Sequence, residues 1–431
     1  MRLISDRPSP PLPPPEDAGP PAPRASLRLR HFMAVFGPGL VVMLADTDVG
    51  SVVTAGQSGV QWGYRLLLLQ VLLMPILYVV QELTVRLGIF TGRGHGELIL
   101  EQFGRVWAWV SAIGLGLAVV GALLTEFAGV AGVGELFGIP RAYTLPVAAI
   151  LLLGVVTTGS YRRVERVAIL VGLLELAFFG VAVAARPDWH TLAAGSLSIP
   201  ITNQSYLFLV AANIGAVIMP WMIFYQQSAI ADKRLGPEHF TAARWDTAVG
   251  AVLTQLVMAA VLIACAATIG ASKPDSSLQT VGDMSAALTP FLGSTFGRVV
   301  FGAGVLGAGL VAAIVASLGF AWGLGEITGY RRSLEYKPLQ ARWFYGVYAL
   351  CLIGGAVLVG TWPNLVQLNV DVQVMNAMLL PLVLGFLIAL SVRALPPSIR
   401  PRGLYLWTVV AIAAVTTAFG VFGAVQGVGL L

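Results

Sequence analysis

Two carboxylates stand two residues apart inside an apolar stretch, in the run Asp46-Thr47-Asp48-Val49-Gly50-Ser51. A carboxylate at bilayer depth is costly and normally marks an ion pathway. Roughly 170 residues further on, a second apolar stretch is interrupted at Gly215 and at Met219-Pro220. Interrupted hydrophobic segments at matching places in two halves of a chain are the best sequence pointer to a transporter's binding site. The chemistry on offer is ligation of a cation. Carboxylate, hydroxyl and carbonyl oxygens suit Mg, Mn or Fe(II), and a thioether tilts the preference toward softer transition metals.

Positioning these groups makes demands on the backbone. Residues two apart on a helix point about 200° from each other, so Asp46 and Asp48 converge on one ion only if the chain is not helical there. Gly50 is the residue expected to permit unwinding, and irregular backbone is tolerated at depth where it lines a cavity. The alternative is that one Asp faces a water-filled vestibule or a neighbouring helix and never touches substrate. In the second stretch Pro220 has no amide hydrogen, so the Ala216 carbonyl loses its intrahelical partner. Gly215 is expected to loosen the same turn. The freed carbonyl and the Met219 sulfur then face the carboxylates if the two halves are related by inverted symmetry. For Met219 alone, gap-filling in the core is the competing reading.

The elements that carry these residues are membrane spans. A hydrophobic fraction of 57%, 11% charged residues and a mean hydropathy of +0.82 exclude the soluble classes. Runs long enough to cross a bilayer, about 20 residues each, number eleven. They lie near 33–60, 64–90, 107–136, 143–158, 166–186, 206–230, 244–271, 298–324, 341–362, 373–392 and 402–426. The fold class is therefore all-α and polytopic, with the lipid bilayer as surroundings. With eleven spans, 21 of the 26 Lys and Arg fall on the side of the N-terminus; Arg65, Arg141, Arg186, Lys273 and Arg298 fall on the other. The positive-inside rule puts the N-terminus in the cytoplasm and the C-terminus outside, and the expected location is a prokaryotic inner or plasma membrane. That distribution accounts for the net charge of +5 and argues against a nucleic-acid partner.

Residues 1–30 are different material, with nine prolines between Pro8 and Pro23 and no apolar core. They read as a disordered cytoplasmic tail and not a signal peptide, with a proline-rich ligand for a partner domain as the alternative. Residues 31–431 form the transporter domain. Cys265 and Cys351 both sit in apolar runs and read as packing. Glu82 and Arg86, four apart, read as a helix-surface ion pair. Glu126 either gates or relays protons or bonds to neighbouring helices, and Glu175 has no evident partner. His31, His95, His190 and His239 lie at helix ends or loops without the spacing of a metal cluster. Gly302-Ala303-Gly304 and Gly307-Ala308-Gly309 read as small-residue helix packing. Neither a nucleotide-binding motif nor a catalytic constellation is visible, so the chain is not expected to be an enzyme.

The stretch from Gly37-Pro38-Gly39 to Asp48-Val49-Gly50-Ser51, followed by Gln61-Trp62-Gly63-Tyr64-Arg65-Leu66-Leu67, resembles the first helix and following loop of the NRAMP divalent-metal transporters. That family's signature there is Asp-Pro-Gly-Asn; its Asp falls on Asp48 and its Asn on Ser51. The sixth-helix motif Ala-x-x-Met-Pro-His falls on Ala216, Met219, Pro220 and Trp221. Arg86-Leu87-Gly88-Ile89-Phe90-Thr91-Gly92, Leu124-Thr125-Glu126, Ala185-Arg186-Pro187-Asp188-Trp189 and Gln373 ahead of Pro381 match in the same order. The resemblance implies the LeuT architecture, with helices 1–5 and 6–10 as inverted repeats, about 31–190 and 205–395, helices 1 and 6 broken, and helix 11 at about 402–426. It implies a divalent metal as substrate, with no cofactor, held by Asp48, Ser51, the Ala216 carbonyl and Met219. The Ala45 carbonyl and Gln373 join at the open stages, and Asp46 is an extra candidate.

Three departures bear on function. The His after Met-Pro is Trp221, the second of two third-helix acids is Gly129 while the first is Glu126, and the ligand Asn is Ser51. An indole cannot titrate and a glycine has no side chain. The losses resemble the family's magnesium-transporting branch, which also tends to lose the sixth-helix Met that this chain keeps. The expectation is a secondary transporter of Mn2+/Fe2+ type, weakly coupled or uncoupled to protons, with a Mg2+ transporter as the alternative. A symporter of amino acids or other organic substrates on the same fold is a rival, but Asp48 would repel an anionic substrate group. A metal-binding receptor is another. Nothing in the sequence bears on oligomeric state.

Overall fold

The computed structural model describes residues 37–271, 278, 282–285, 295, 297–362 and 369–428. The proline-rich stretch, His31, Lys273 and the start of the expected first span lie outside them. The described elements are helices: α1 Pro38–Asp46, α2 Val49–Trp62, α3 Leu67–Thr91, α4 His95–Phe103, α5 Arg105–Leu136, α6 Arg141–Val156, α7 Tyr161–Gly172 and α8 Ala177–Ala184. Then come α9 Trp189–Ser196, α10 Gln204–Val217, α11 Pro220–Asp232, α12 Phe240–Cys265, α13 Arg298–Thr328, α14 Arg342–Thr361, α15 Asn369–Arg393 and α16 Gly403–Val428. A 3₁₀ turn, Leu173–Leu176, joins α7 to α8 in one span.

Among the described residues nine helices are long and apolar enough to cross a bilayer, and the pair α1–α2, bent by 47°, makes a tenth. The eleventh expected span is α6, with 16 residues. At 1.5 Å per residue it is about 24 Å long, short of the roughly 30 Å hydrocarbon core. Ten spans therefore meet the length and one does not.

The surface of the bundle carries the signs of a lipid environment. On α5, Val106, Val110, Ile113, Leu117 and Val120 recur at helical spacing and are all exposed, while Ala118, Ala122, Glu126 and Gly129 on the other side are buried. Trp107, Trp245, Trp343 and Trp407 are exposed near the Lys/Arg-rich end and Trp189 and Trp362 near the other, as interfacial aromatic belts require.

The Lys/Arg-rich end is laced together by polar contacts. Asp246 on α12 accepts from the backbone N–H of Gly37 at 3.1 Å, Gly39 at 2.8 Å and Leu40 at 3.2 Å, so it caps the start of α1 from across the bundle. Lys233 pairs with Glu165 at 2.7 Å and Arg332 with Glu97 at 2.6 Å. Glu326 on α13 accepts from Gly96 N at 2.8 Å and Ser228 Oγ at 2.5 Å. His95, at the first position of α4, is buried against Gln227, and burial pushes its imidazole down to about 4. Glu82 and Arg86 are not a surface pair. Glu82 is 0% exposed and bonds Arg86 at 2.5 Å and the Tyr405 hydroxyl at 2.9 Å, with Arg244 at 3.4 Å, tying α3 to α12 and α16.

Candidate metal site

The first crossing breaks at Thr47 and Asp48, not at Gly50. Asp48 has extended backbone (φ −65°, ψ 168°) and caps α2, accepting from Ser51 N at 2.5 Å. An Asp followed three residues later by a free N–H is a helix start, so Asp48 itself ends one helix and begins the next. Gly50 is helical, and a Cβ there would run into the Gln373 amide. Its smallness admits Gln373 to the site; it does not unwind the chain.

The sixth crossing breaks at Ile218 (φ −123°, ψ 88°) and Met219 (φ −101°, ψ 141°). Pro220 takes the first position of α11, where its missing N–H costs nothing. Gly215 is helical too. A Cβ there would collide with the Gln373 carbonyl, so this glycine lets the backbones of α10 and α15 meet and does not loosen the turn.

These two breaks face each other. The Ala216 carbonyl, orphaned by Pro220, accepts the Ser51 hydroxyl at 3.0 Å. Gln373 Nε2 lies 3.3 and 3.5 Å from the two oxygens of Asp48. Gln373 is held in that pose by Asn376, whose amide donates to its Oε1 at 3.0 Å. Asp48, Ser51, Ala216 and Gln373 thus form one bonded group, each at most 1% exposed. Met219 caps α11 and is fully buried beside the same break, and Ala45 is buried in the last turn of α1. Asp46 turns away: it accepts from Thr254 on α12 at 3.4 Å, and Thr254 meets Thr47 at 2.6 Å.

Glu126 lies beside Asp48 and accepts from Val49 N at 3.1 Å and Thr125 Oγ at 3.0 Å. It therefore caps α2 as well. Gly129, one helical turn further along α5, has no room for a side chain. A Cβ there would strike the Val49 side chain. Val49 and Gly129 therefore share one volume at the junction of α2 and α5. Trp221 fills the first turn of α11 at 0% exposure, and its Nε1 has no hydrogen-bond partner among the described residues.

Asn376 and Thr254 also touch these residues, Asn376 through Gln373 and Thr254 through Asp46. Asn376 follows Gln373 by three residues, one helical turn, and that spacing was a usable signal. Thr254 carried no such sign, because its relation to Asp46 spans 208 residues. Among the described residues no three His, Cys, Asp or Glu side chains converge as a metal cluster. The bonded group is one carboxylate with a hydroxyl, a backbone carbonyl and an amide, and Met219 is buried at the adjoining break. A cavity of about 590 Å³ lies beyond the C-terminal end of α2, near Trp62, Arg65 and Asp188, apart from these residues.

Two broken crossings that meet at a buried carboxylate inside an all-helical multi-pass bundle are the arrangement of a membrane transporter. The chain belongs to the Nramp family: its residues 39–426 match the model described as natural resistance-associated macrophage protein-like. It is 28% identical over 309 residues to the divalent metal cation transporter MntH of Brucella suis, covering 68% of this chain and 67% of that one. The fold matches that of the manganese transporter of Eremococcus coleocola at a TM-score of 0.75, with 19% identity and 94% and 89% of the two chains covered. A nucleobase–cation symport-1 family transporter superposes at 0.54, with 14% identity over 92% and 91%. The resemblance read from the motifs and the LeuT-type fold are therefore borne out. Nramp proteins are transporters and not enzymes, and the metal is their substrate.

Proposed function

We propose that this protein moves a divalent metal cation, Mn2+ first among candidates, across the membrane by alternating access, with its N-terminus in the cytoplasm. Asp48 supplies the formal charge, the Ser51 hydroxyl and Ala216 carbonyl supply oxygens, Met219 supplies sulfur, and Gln373 exchanges with the ion as the site opens. The observation that carries this reading is the bond between the two breaks, Ser51 Oγ to Ala216 O at 3.0 Å, beside the Asp48 carboxylate. The divalent metal transporters to which the chain is similar, one of them named for manganese, support it. In this structure Gln373 offers Asp48 its amide hydrogens; an ion arriving from either side takes their place.

A magnesium reading is second, favoured by Trp221, Gly129 and the shorter Ser51. Purified protein in liposomes, offered Mg, Ca, Mn, Fe and Cd in turn, separates the two. Asp48→Ala is expected to abolish uptake of all of them while the protein stays folded, because it removes the charge that offsets dehydration of the ion. Normal uptake by a well-folded Asp48→Ala protein would overturn the proposal.

A further inference from the structure

Four buried carboxylates crowd the middle of the bundle, and two of them lie outside the site described above. Asp48 and Glu126 are engaged by backbone N–H groups at the start of α2. Asp46 and Glu175 are not so provided. Oδ1 of Asp46 and both carboxyl oxygens of Glu175 have no hydrogen-bond partner among the described residues, at 1% and 0% exposure. No Lys or Arg among the described residues pairs with either.

The two acids come from different elements. Asp46 ends α1, and Glu175 sits in the 3₁₀ turn that interrupts the α7–α8 span. Tightened turns inside a span often mark a functional position. Glu175 lies within polar reach of the Thr47 side chain and within electrostatic reach of Asp46, Glu126 and Asp48. On the facing helix α12, Thr254 bridges Thr47 at 2.6 Å and Asp46 at 3.4 Å. Next to it Gln255, 0% exposed, lies within polar reach of Asp46, and its amide oxygen has no hydrogen-bond partner among the described residues.

Buried polar atoms left unpaired are costly, and unpaired charges more so. A proton could neutralise one carboxyl, yet it would leave the remaining oxygens of Glu175, Asp46 and Gln255 without partners. One cation serves several oxygens at once. We propose that Asp46, Thr47, Glu175, Thr254 and Gln255 form a second cation site, taking a hard monovalent ion such as Na+, beside the divalent site. The donor set is all oxygen, which selects hard ions. Charge selects the monovalent form: beside a divalent ion at Asp48, a second divalent ion meets twice the repulsion that a monovalent one meets. Because Thr47 is itself part of the break in the first crossing, the ion would tie that break to α12 and to the 3₁₀ turn.

The test uses the full-length purified protein in detergent with no divalent metal present. Its thermal unfolding is followed at constant ionic strength while choline chloride is exchanged for NaCl or KCl. The expected result is a saturable rise in melting temperature in NaCl of about 2 °C or more, larger than in KCl. The rise should vanish in Glu175→Gln and shrink in Thr254→Val, which still serves if Glu175→Gln does not fold. Superimposable curves in all three salts overturn the site. So does a sodium effect that survives both substitutions, and so does a Glu175→Gln protein that is stabilised while wild type ignores sodium, since a proton then holds the acid. No divalent metal enters the measurement, so its failure leaves the metal-transport proposal standing for its own test.

Discussion

At the scale of single residues, the departures from the family pattern are compensated locally, and this can be tested. Val49 and Gly129 share one volume, so Gly129→Ala should overpack the junction of α2 and α5 and cost about 1–3 kcal/mol. Val49→Ala should recover much of that loss, with a coupling of roughly 0.5–3 kcal/mol across the double-mutant cycle. Additive melting shifts would mean that the two positions do not share the space. A carboxylate restored at 129 would meet the same wall, so the lost acid cannot be regained by a single change. Met219 makes a different case. If its sulfur ligates the ion, Met219→Ala should weaken Mn and Cd uptake far more than Mg uptake, because a hard ion gains little from a thioether. Equal loss for every metal would assign Met219 to packing. Asp48 and Ala216 were legible as candidates from residue chemistry, and Ser51 and Gln373 only through the family resemblance. The bond of Ser51 to Ala216 was not, because 165 residues separate them and no local pattern encodes the pairing.

At the scale of elements, the two broken crossings were readable, but the residues that break them were only half so. Pro220 acts as its chemistry dictates: it begins α11 and frees the Ala216 carbonyl. The glycines misled. Gly50 and Gly215 suggest loosening when read one residue at a time, yet both are helical and make room for Gln373 and its backbone. A glycine's use depends on what approaches it, and sequence alone does not contain that. The break in the first crossing comes instead from Asp48 acting as a helix cap, a local signal that was present. The Ser51 hydroxyl then has two tasks, satisfying the Ala216 carbonyl when the site is closed and meeting the ion when it is filled. Ser51→Ala should leave a buried carbonyl unpaired and cost about 1–3 kcal/mol in stability, together with weaker metal uptake. Ser51→Asn restores the family's amide and should recover metal uptake. A Ser51→Ala protein with unchanged melting and unchanged uptake would remove both tasks at once.

At the scale of the whole molecule, the spans were legible because lipid enforces hydropathy along the chain. The locking contacts were not, because they join residues hundreds of positions apart, as Asp246 joins the start of α1. Those contacts hold the Lys/Arg-rich end together, and a cavity of about 590 Å³ lies at the other. A carrier needs a driving force, and two of the titrating groups that the family resemblance implies are replaced here. Trp221 is an indole, Gly129 is filled by Val49, and Glu126 is engaged in capping α2. Membrane potential alone offers a divalent ion about 4.6 kcal/mol across roughly 100 mV. Metal uptake into liposomes should therefore proceed without proton movement. A pH dye trapped inside should stay flat while Mn2+ accumulates under a potassium-diffusion potential, and an opposing pH gradient should leave the rate nearly unchanged. Internal acidification that scales with metal uptake and disappears in Glu126→Gln would return the proton to α5, and the capping role of Glu126 would then be secondary to its titration.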